Sequence, residues 1–250
     1  MLTKPKLPDA AELAAEAAAE YEERYGALPP KLIIEIAART LFPGDVVTVS
    51  SFGADSAVLL HMLAEVDRSL PVAFLDTGKH FGETLDYRDA LVGDFGLTGL
   101  TVIKPLEARL AAGDPDGKLH LSSTDACCDI RKVEPMARAV EPYGAWFTGR
   151  KRFQSATRAA LPVFEAVGHR IRINPLARWS ADDIRNYALS RKLRENPLVA
   201  YGYLSIGCFP CTSVVQPGND ARSGRWAGQA KTECGIHLSG LEQSLASSEL

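Results

Sequence analysis

Asp45-Val46-Val47-Thr48-Val49-Ser50-Ser51-Phe52-Gly53-Ala54-Asp55-Ser56, running into Ala57-Val58-Leu59-Leu60-His61-Met62-Leu63, is the stretch whose reading decides the fold. Its first residues are β-branched and apolar, the composition of a strand buried on both faces. Small residues follow, and then an apolar helical run. Strand, small-residue turn and helix together aim free backbone N–H groups at an anion. Gly53 permits the tight turn, and Ser50, Ser51 and Ser56 add hydroxyl donors. The GxxxxGK[ST] pattern of a P-loop is absent.

Outward from this unit, strands and helices alternate. Pro71-Val72-Ala73-Phe74-Leu75-Asp76 reads as a second buried strand, ending in Asp76-Thr77-Gly78. Leu75 and Asp76 thereby stand at a strand's carboxyl end, where open α/β sheets bind ligands. A helix is predicted over 82–95, a third strand near 100–104, and a loop over 112–118. The pair Cys127-Cys128 opens another helix, in which Pro135 marks an irregularity. Ala145-Trp146-Phe147-Thr148-Gly149 reads as a fourth strand and Arg170–Pro175 as a final one. Ser180 caps a helix running to Leu193. Ahead of the core, the Ala/Glu-rich residues 1–25 read as a solvated helix, and a second helix spans Pro30 to about Leu41. The expected fold is α/β, a mostly parallel open sheet with helices on both faces. One domain over 1–250 suffices: N-terminal helices in 1–44, an α/β core in 45–200 and a cysteine-bearing C-terminal segment in 201–250.

A formal net charge of −3 argues against a broadly nucleic-acid-binding surface. The N-terminus has no apolar run with a basic flank, and no stretch approaches a membrane-spanning length. A cytoplasmic location is expected. In a reducing compartment the five cysteines read as metal or redox chemistry and not as a disulfide framework.

Cys127 and Cys128 are adjacent, and Cys208 and Cys211 form a CxxC on a Gly/Pro-rich turn. Four thiolates suit zinc or an iron–sulfur cluster, and spacing alone does not choose. Neighbours on a helix point about 100° apart. Two such sulfurs reach separate corners of a bulky cubane more readily than two vertices of one small tetrahedron, which favours a [4Fe-4S] cluster. Lys132 lies four residues after Cys128 on the same helical face and would offset cluster charge. Cys234 stands apart, in Lys231-Thr232-Glu233-Cys234-Gly235-Ile236-His237. Lys231 and His237, with Arg222 and Arg225 before it, favour a reactive thiolate, Glu233 opposes one, and an idle thiol is the alternative. Arg150, Arg152 and Arg158 in one loop, with Arg222 and Arg225 in another, suit phosphate or sulfate oxygens. Residues 212–233 are expected to move as a lid over bound nucleotide.

Taken together, Ser51–Ser56, Asp76-Thr77-Gly78, Cys127-Cys128 with Arg131-Lys132-Val133-Glu134-Pro135, Gly149 through Gln154-Ser155 to Arg158, the CxxC and the Cys234 motif resemble the assimilatory sulfonucleotide reductases. Within these they are similar to the iron–sulfur adenylyl-sulfate reductases, over residues 45 to 240. The resemblance implies an adenine-nucleotide α-hydrolase-like sheet whose first loop, with Ser50, Ser51, Phe52, Gly53 and Ser56, holds the phosphosulfate. It implies a [4Fe-4S] cluster on Cys127, Cys128, Cys208 and Cys211. Cys234 would attack the sulfur of adenylyl sulfate, release AMP and carry an S-sulfocysteine that reduced thioredoxin discharges as sulfite. Arg158, Arg222, Arg225 and His237 would offset charge during that attack, with Lys132 beside the cluster. Homo-oligomerisation stays open. Two departures stand out: Lys79-His80 after Asp76-Thr77-Gly78, and Phe153 before Gln154-Ser155.

A 3′-phosphoadenylyl-sulfate reductase, or an enzyme using both sulfonucleotides, is the nearest alternative. An adenylating enzyme of the ATP-pyrophosphatase type is more remote, because it would show SGGxDS where Phe52-Gly53-Ala54 stands. A zinc-stabilised nucleic-acid-binding protein is opposed by the charge.

Overall fold

The computed structural model of the protein describes residues 9–227, 231 and 233–237, the last by its backbone alone. Six strands form one sheet in the order β3-β2-β1-β4-β6-β5. They are β1 (Val46–Ser50), β2 (Val72–Leu75), β3 (Leu100–Ile103), β4 (Ala145–Phe147), β5 (Phe164–Val167) and β6 (Arg170–Ile173). All neighbouring pairs are parallel except β5 with β6.

β1 lies at the centre, with Thr48 opposite both Val72 of β2 and Phe147 of β4. The chain leaves β1 toward β2 and β3, then returns to its other side at β4. The crevice between the carboxyl ends of β1 and β4 is therefore the topological switch point, where open sheets bind ligands.

Alternation along the strands divides the core. Val46, Phe74 and Phe147 face a large layer with Ile33, Ile34, Leu60 and Leu63. Val47, Ala73, Leu75 and Trp146 face a smaller layer with Met136 and Val140. The first layer is supplied by α1 (Ala10–Tyr25), α2 (Pro30–Ile36), α3 (Ser56–Val66) and α4 (Gly82–Phe95). Three short helices then lead toward the cysteines: α5 (Glu107–Gly113), α6 (Leu119–Ser122) and α7 (Thr124–Cys128). α8 (Glu134–Val140) covers the second layer, and α9 (Ala181–Ser190) returns to the first.

Pro135 sits where its missing N–H matters least, near the start of α8. One wide π turn, Asp129–Val133, separates it from α7, and Glu134 N–H closes that turn on Asp129 O. The irregularity expected at Pro135 thus falls just before it.

Two expectations are corrected. The pairing partner of the final strand, β5, carries no strong alternation and was not anticipated; Gly168, at φ +58°, makes the tight turn that joins it to β6. The N-terminal helix is more than a solvated one. Asp9 caps it in a capping box, and it buries Ala14 and Ala18. Tyr21 meets Phe164 edge-on, and the Glu22 carboxylate accepts the backbone N–H groups of Val163 (2.8 Å) and Phe164 (2.9 Å). A charged oxygen thus blunts the outer edge of the sheet.

Glu22→Ala leaves both amides without their acceptor, a loss of about 1–3 kcal/mol. Thermal unfolding should show the midpoint lowered by at least about 2 °C. The same change at the neighbouring exposed Glu23 should leave it unmoved.

Candidate active site

A cavity of about 270 Å³ opens at the carboxyl ends of β1, β2 and β4. One wall is the loop after β1, through Ser50, Ser51, Gly53 and Ser56. Phe52 does not line it. Its backbone adopts the left-handed conformation (φ +47°), and its ring is buried against Phe74 at 5.6 Å between centroids. Such a conformation is strained for a bulky residue and is held by its surroundings. Phe52 N–H donates to Ser50 Oγ (3.2 Å), and Asn196 Nδ2 donates to Phe52 O (3.2 Å). Phe52 is thus the plug that shapes the loop.

Leu75 lines the cavity, as does His80, whose Nε2 lies 2.9 Å from Leu75 O. Burial lowers the His80 pKa, and since a carbonyl only accepts, Nε2 carries the proton. Asp76 is not on the wall; its Oδ1 accepts Gly78 N–H (3.0 Å) and tightens the turn.

Behind Lys132 lies a small recess lined by Cys127, Cys128, Cys208 and Cys211. α7 supplies the first pair, and the 3₁₀ turn Phe209–Cys211 sets the second. Phe209 N–H donates to Lys79 O (2.8 Å), and Thr77 Oγ1 lies 3.3 Å from Cys208 Sγ. The buried Arg131–Asp114 ion pair holds the floor, with Arg131 Nη1 also donating to Thr77 O (2.7 Å). Among the described residues, no three His, Cys, Asp or Glu side chains converge where one ion would sit. Four thiols around one recess are the donor set that a thiolate-bound metal group requires. Burial pushes the Cys127 and Cys211 thiols up, so bare thiolates are disfavoured there without a cation.

Cys234 is buried, 7% exposed, yet stands on the wall of the nucleotide-sized cavity and against Cys128 and Trp226. Its segment turns at Gly235–His237 against the π turn at 129–133. A Cβ at Gly235 would come within 2.8 Å of Val133 Cγ2, so this docking needs glycine. With Cys128 as a thiol, its hydrogen bond is the main cause that lowers the Cys234 pKa well below the usual thiol range, burial opposes it, and Lys132 and Arg225 assist; a metal-ligated Cys128 has no S–H to donate, which leaves the two cations to favour the thiolate. Cys128 is pushed up by the same hydrogen bond and by burial. Lys132 lines both the cavity and the recess. Burial pulls its ammonium down, but the sulfurs of Cys208 and Cys234 outweigh it and raise its pKa.

Of the predicted arginines, Arg150, Arg158, Arg222 and Arg225 reach the cavity wall, in different states, whereas Arg152 does not and donates from Nε to Leu161 O (2.8 Å). Arg158 grips Glu233 through Nε and Nη2 at 2.8 and 2.7 Å, and Arg222 Nη2 joins at 3.3 Å. Burial raises the Glu233 carboxyl, but Arg158 and Arg222 win and hold it below the usual range. Arg225 stacks on Trp226, 4.6 Å from guanidinium carbon to ring centroid, and its buried Nε has no hydrogen-bond partner. A Cβ at Gly207 would lie 2.3 Å from that guanidinium. The side chain of His237 lies outside the described residues, as does part of the expected lid. The described part of that segment docks on the CxxC turn: Trp226 N–H donates to Cys211 O (3.1 Å).

Residues 45–214 match the model of the phosphoadenosine phosphosulfate reductase domain. The chain belongs to this reductase family. It is 68% identical, over the whole of both chains, to a Mesorhizobium japonicum protein named adenosine 5′-phosphosulfate reductase. It is 43% identical to a Gloeobacter violaceus protein named phosphoadenosine 5′-phosphosulfate reductase, covering 84% of this chain and 89% of that one. Among solved structures, the phosphoadenylyl-sulfate reductase of Candida auris, a phosphate complex, superposes with a TM-score of 0.67 at 28% identity, covering 85% of this chain and all of that one. Candida glabrata FMN adenylyltransferase with FAD and pyrophosphate, at 14% identity and a TM-score of 0.51, shares the fold alone; the match covers 82% of this chain and 75% of that one. The sheet is adenine-nucleotide α-hydrolase-like, as expected.

Several wall residues of this reductase-family cavity escaped the sequence. Lys151, 2% exposed, donates from Nζ to Asp55 in the first loop at 2.7 Å. Trp146, on β4, closes the inner end. A buried lysine in a basic loop has no local signature, because its partner lies 96 residues away.

Lys132→Met removes the cation facing Cys234, so the Cys234 pKa should rise. Followed by mass spectrometry, wild-type alkylation should reach half its plateau rate below about pH 8.5. In the variant that midpoint should move up, slowing the reaction at pH values below the wild-type midpoint.

Proposed function

We propose that this protein reduces adenylyl sulfate to sulfite and AMP, with Cys234 as nucleophile and a reduced thioredoxin-type dithiol as electron donor. The single observation that carries this reading is the place of Cys234 on the wall of a cavity of about 270 Å³ that the first βα loop, Lys132 and Arg225 also line. The names of its relatives support the substrate class.

The first loop presents backbone N–H groups and serine hydroxyls to the phosphosulfate, and Leu75 and His80 border the remainder of the nucleotide. Sulfuryl oxygens repel an approaching thiolate, so Lys132 and Arg225 offset the charge where it builds up. Cys234 Sγ bonds to the sulfuryl sulfur while the bond from that sulfur to the bridging phosphate oxygen breaks. AMP leaves with the electron pair, and Cys234 carries –SO₃⁻. A dithiol thiolate then attacks Cys234 Sγ and expels sulfite, forming a mixed disulfide. Its second thiol resolves that disulfide, returning the Cys234 thiolate and an oxidised donor. Two electrons pass from dithiol to substrate sulfur.

Cys127, Cys128, Cys208 and Cys211 would hold a [4Fe-4S] cluster. When bound, it supplies electrostatic and structural support beside Lys132, and the electron count above needs nothing more from it. The reading belongs to sulfate assimilation and cysteine biosynthesis in the cytoplasm. Among the described residues no helix is long and apolar enough to cross a membrane. The Gloeobacter relative's name keeps the 3′-phosphorylated substrate as a second reading.

Anaerobically purified enzyme should contain iron and labile sulfide and form sulfite from adenylyl sulfate with reduced thioredoxin. Without reductant it should release a single-turnover burst of AMP and retain a sulfo adduct on Cys234. Cys234→Ser should do neither while still binding AMP. Sulfite formed by that variant would overturn the mechanism; zinc without iron would overturn the cluster.

A further inference from the structure

We propose that Glu233 is the latch that seats Cys234 at the cavity, and that Arg158 is a positioning residue for it and not a ligand of the substrate anion. This rests on Cys234 being the nucleophile.

Arg158 is already committed. Nε and Nη2 donate to the two Glu233 oxygens as a fork on a fork, and Nη1 donates to Gln154 Oε1 at 2.6 Å. Each guanidinium nitrogen thus has a protein acceptor. Ser155 and Thr157 hydroxyls add further donors to Glu233 Oε1, at 3.2 and 3.3 Å. Arg222 supplies a second guanidinium. Arg158 and Glu233 side chains are only 8% and 7% exposed, so neither charge is left in water.

The connection is also placed to matter. Glu233 reaches the loop after β4, across 75 residues of sequence, while its chain neighbour Cys234 meets Cys128. Consecutive side chains therefore anchor one segment to the two sides of the cavity. Separating a buried ion pair leaves uncompensated charge, so the docked arrangement of Cys234 is favoured for as long as Glu233 stays gripped. A substrate oxyanion taking Arg158 would have to displace the carboxylate that holds the nucleophile. Arg225 grips no carboxylate: its Nη1 donates to Ile206 O (3.4 Å), its buried Nε lacks a partner, and it lines the same wall.

The test uses the full-length holoenzyme. In a Cys234→Ser background, where adenylyl sulfate is bound but not consumed, Arg158→Ala and Glu233→Gln should each leave its Kd within about 3-fold. With Cys234 present, each should lower kcat at least about 30-fold with iron content unchanged, and the double variant should be no worse than either single. Hydrogen exchange should show amide protection lost at 233–236 in both single variants and regained in the exchanged pair Arg158→Glu with Glu233→Arg. A tenfold or greater loss of substrate affinity in Arg158→Ala, or kcat losses that multiply in the double variant, would overturn the proposal. Should the wild-type chain fail to reduce any sulfonucleotide, the Cys234 reading fails, whereas the latch is still judged by hydrogen exchange alone.

Discussion

The arrangement depends on one half-buried cation. Lys132 stands between two groups of sulfur, facing four cysteines on one side and the cavity with Cys234 on the other. A lysine in such a place normally loses its proton to burial. Here Cys208, Cys234 and Cys128 reverse that and keep it charged. In turn it lowers the proton affinity of Cys234.

The local backbone is bent to produce this. Between α7 and α8 the chain makes a π turn, and within it Arg131 and Lys132 diverge. Arg131 goes to Asp114 and Thr77 O, bracing the floor under Cys208. Lys132 goes to the cavity wall. A regular helix through the same residues would keep the two guiding groups in α-helical phase. The wider turn shifts that phase by a fraction of a turn, a recurring use of π turns at functional sites.

How far the sequence discloses this follows from range. The β1–loop–α3 unit is legible because strand, turn and helix signals are consecutive. The cysteines are legible as pairs, and their common recess follows once α7 and the CxxC turn are placed. What escapes is whatever depends on a distant partner. β5 needs β6 to be a strand, and α1 needs the edge amides of 163 and 164 to be more than a solvated helix. Phe52 looks like a loop residue facing a ligand, yet its left-handed backbone turns the ring into the core against Phe74. Arg158 reads as an anion ligand because Glu233 lies 75 residues away and no periodicity connects them.

Charge pairing then separates the cavity's cations into two sets. Lys151 is tied to Asp55, Arg150 to Glu165, and Arg158 with Arg222 to Glu233. These pairs fix the shapes of the first loop, the loop after β4 and the terminal segment, and each carboxylate cancels one of the cations that grip it. Among the described residues, neither Lys132 nor Arg225 is ion-paired with a carboxylate. Their charge is opposed by no carboxylate partner, and both line the cavity with Cys234. A low-dielectric wall makes that residual charge count for more than the same groups in water. The many basic residues of the two loops are therefore mostly scaffold, and the attraction for an anionic group is concentrated on the side from which the sulfur nucleophile approaches.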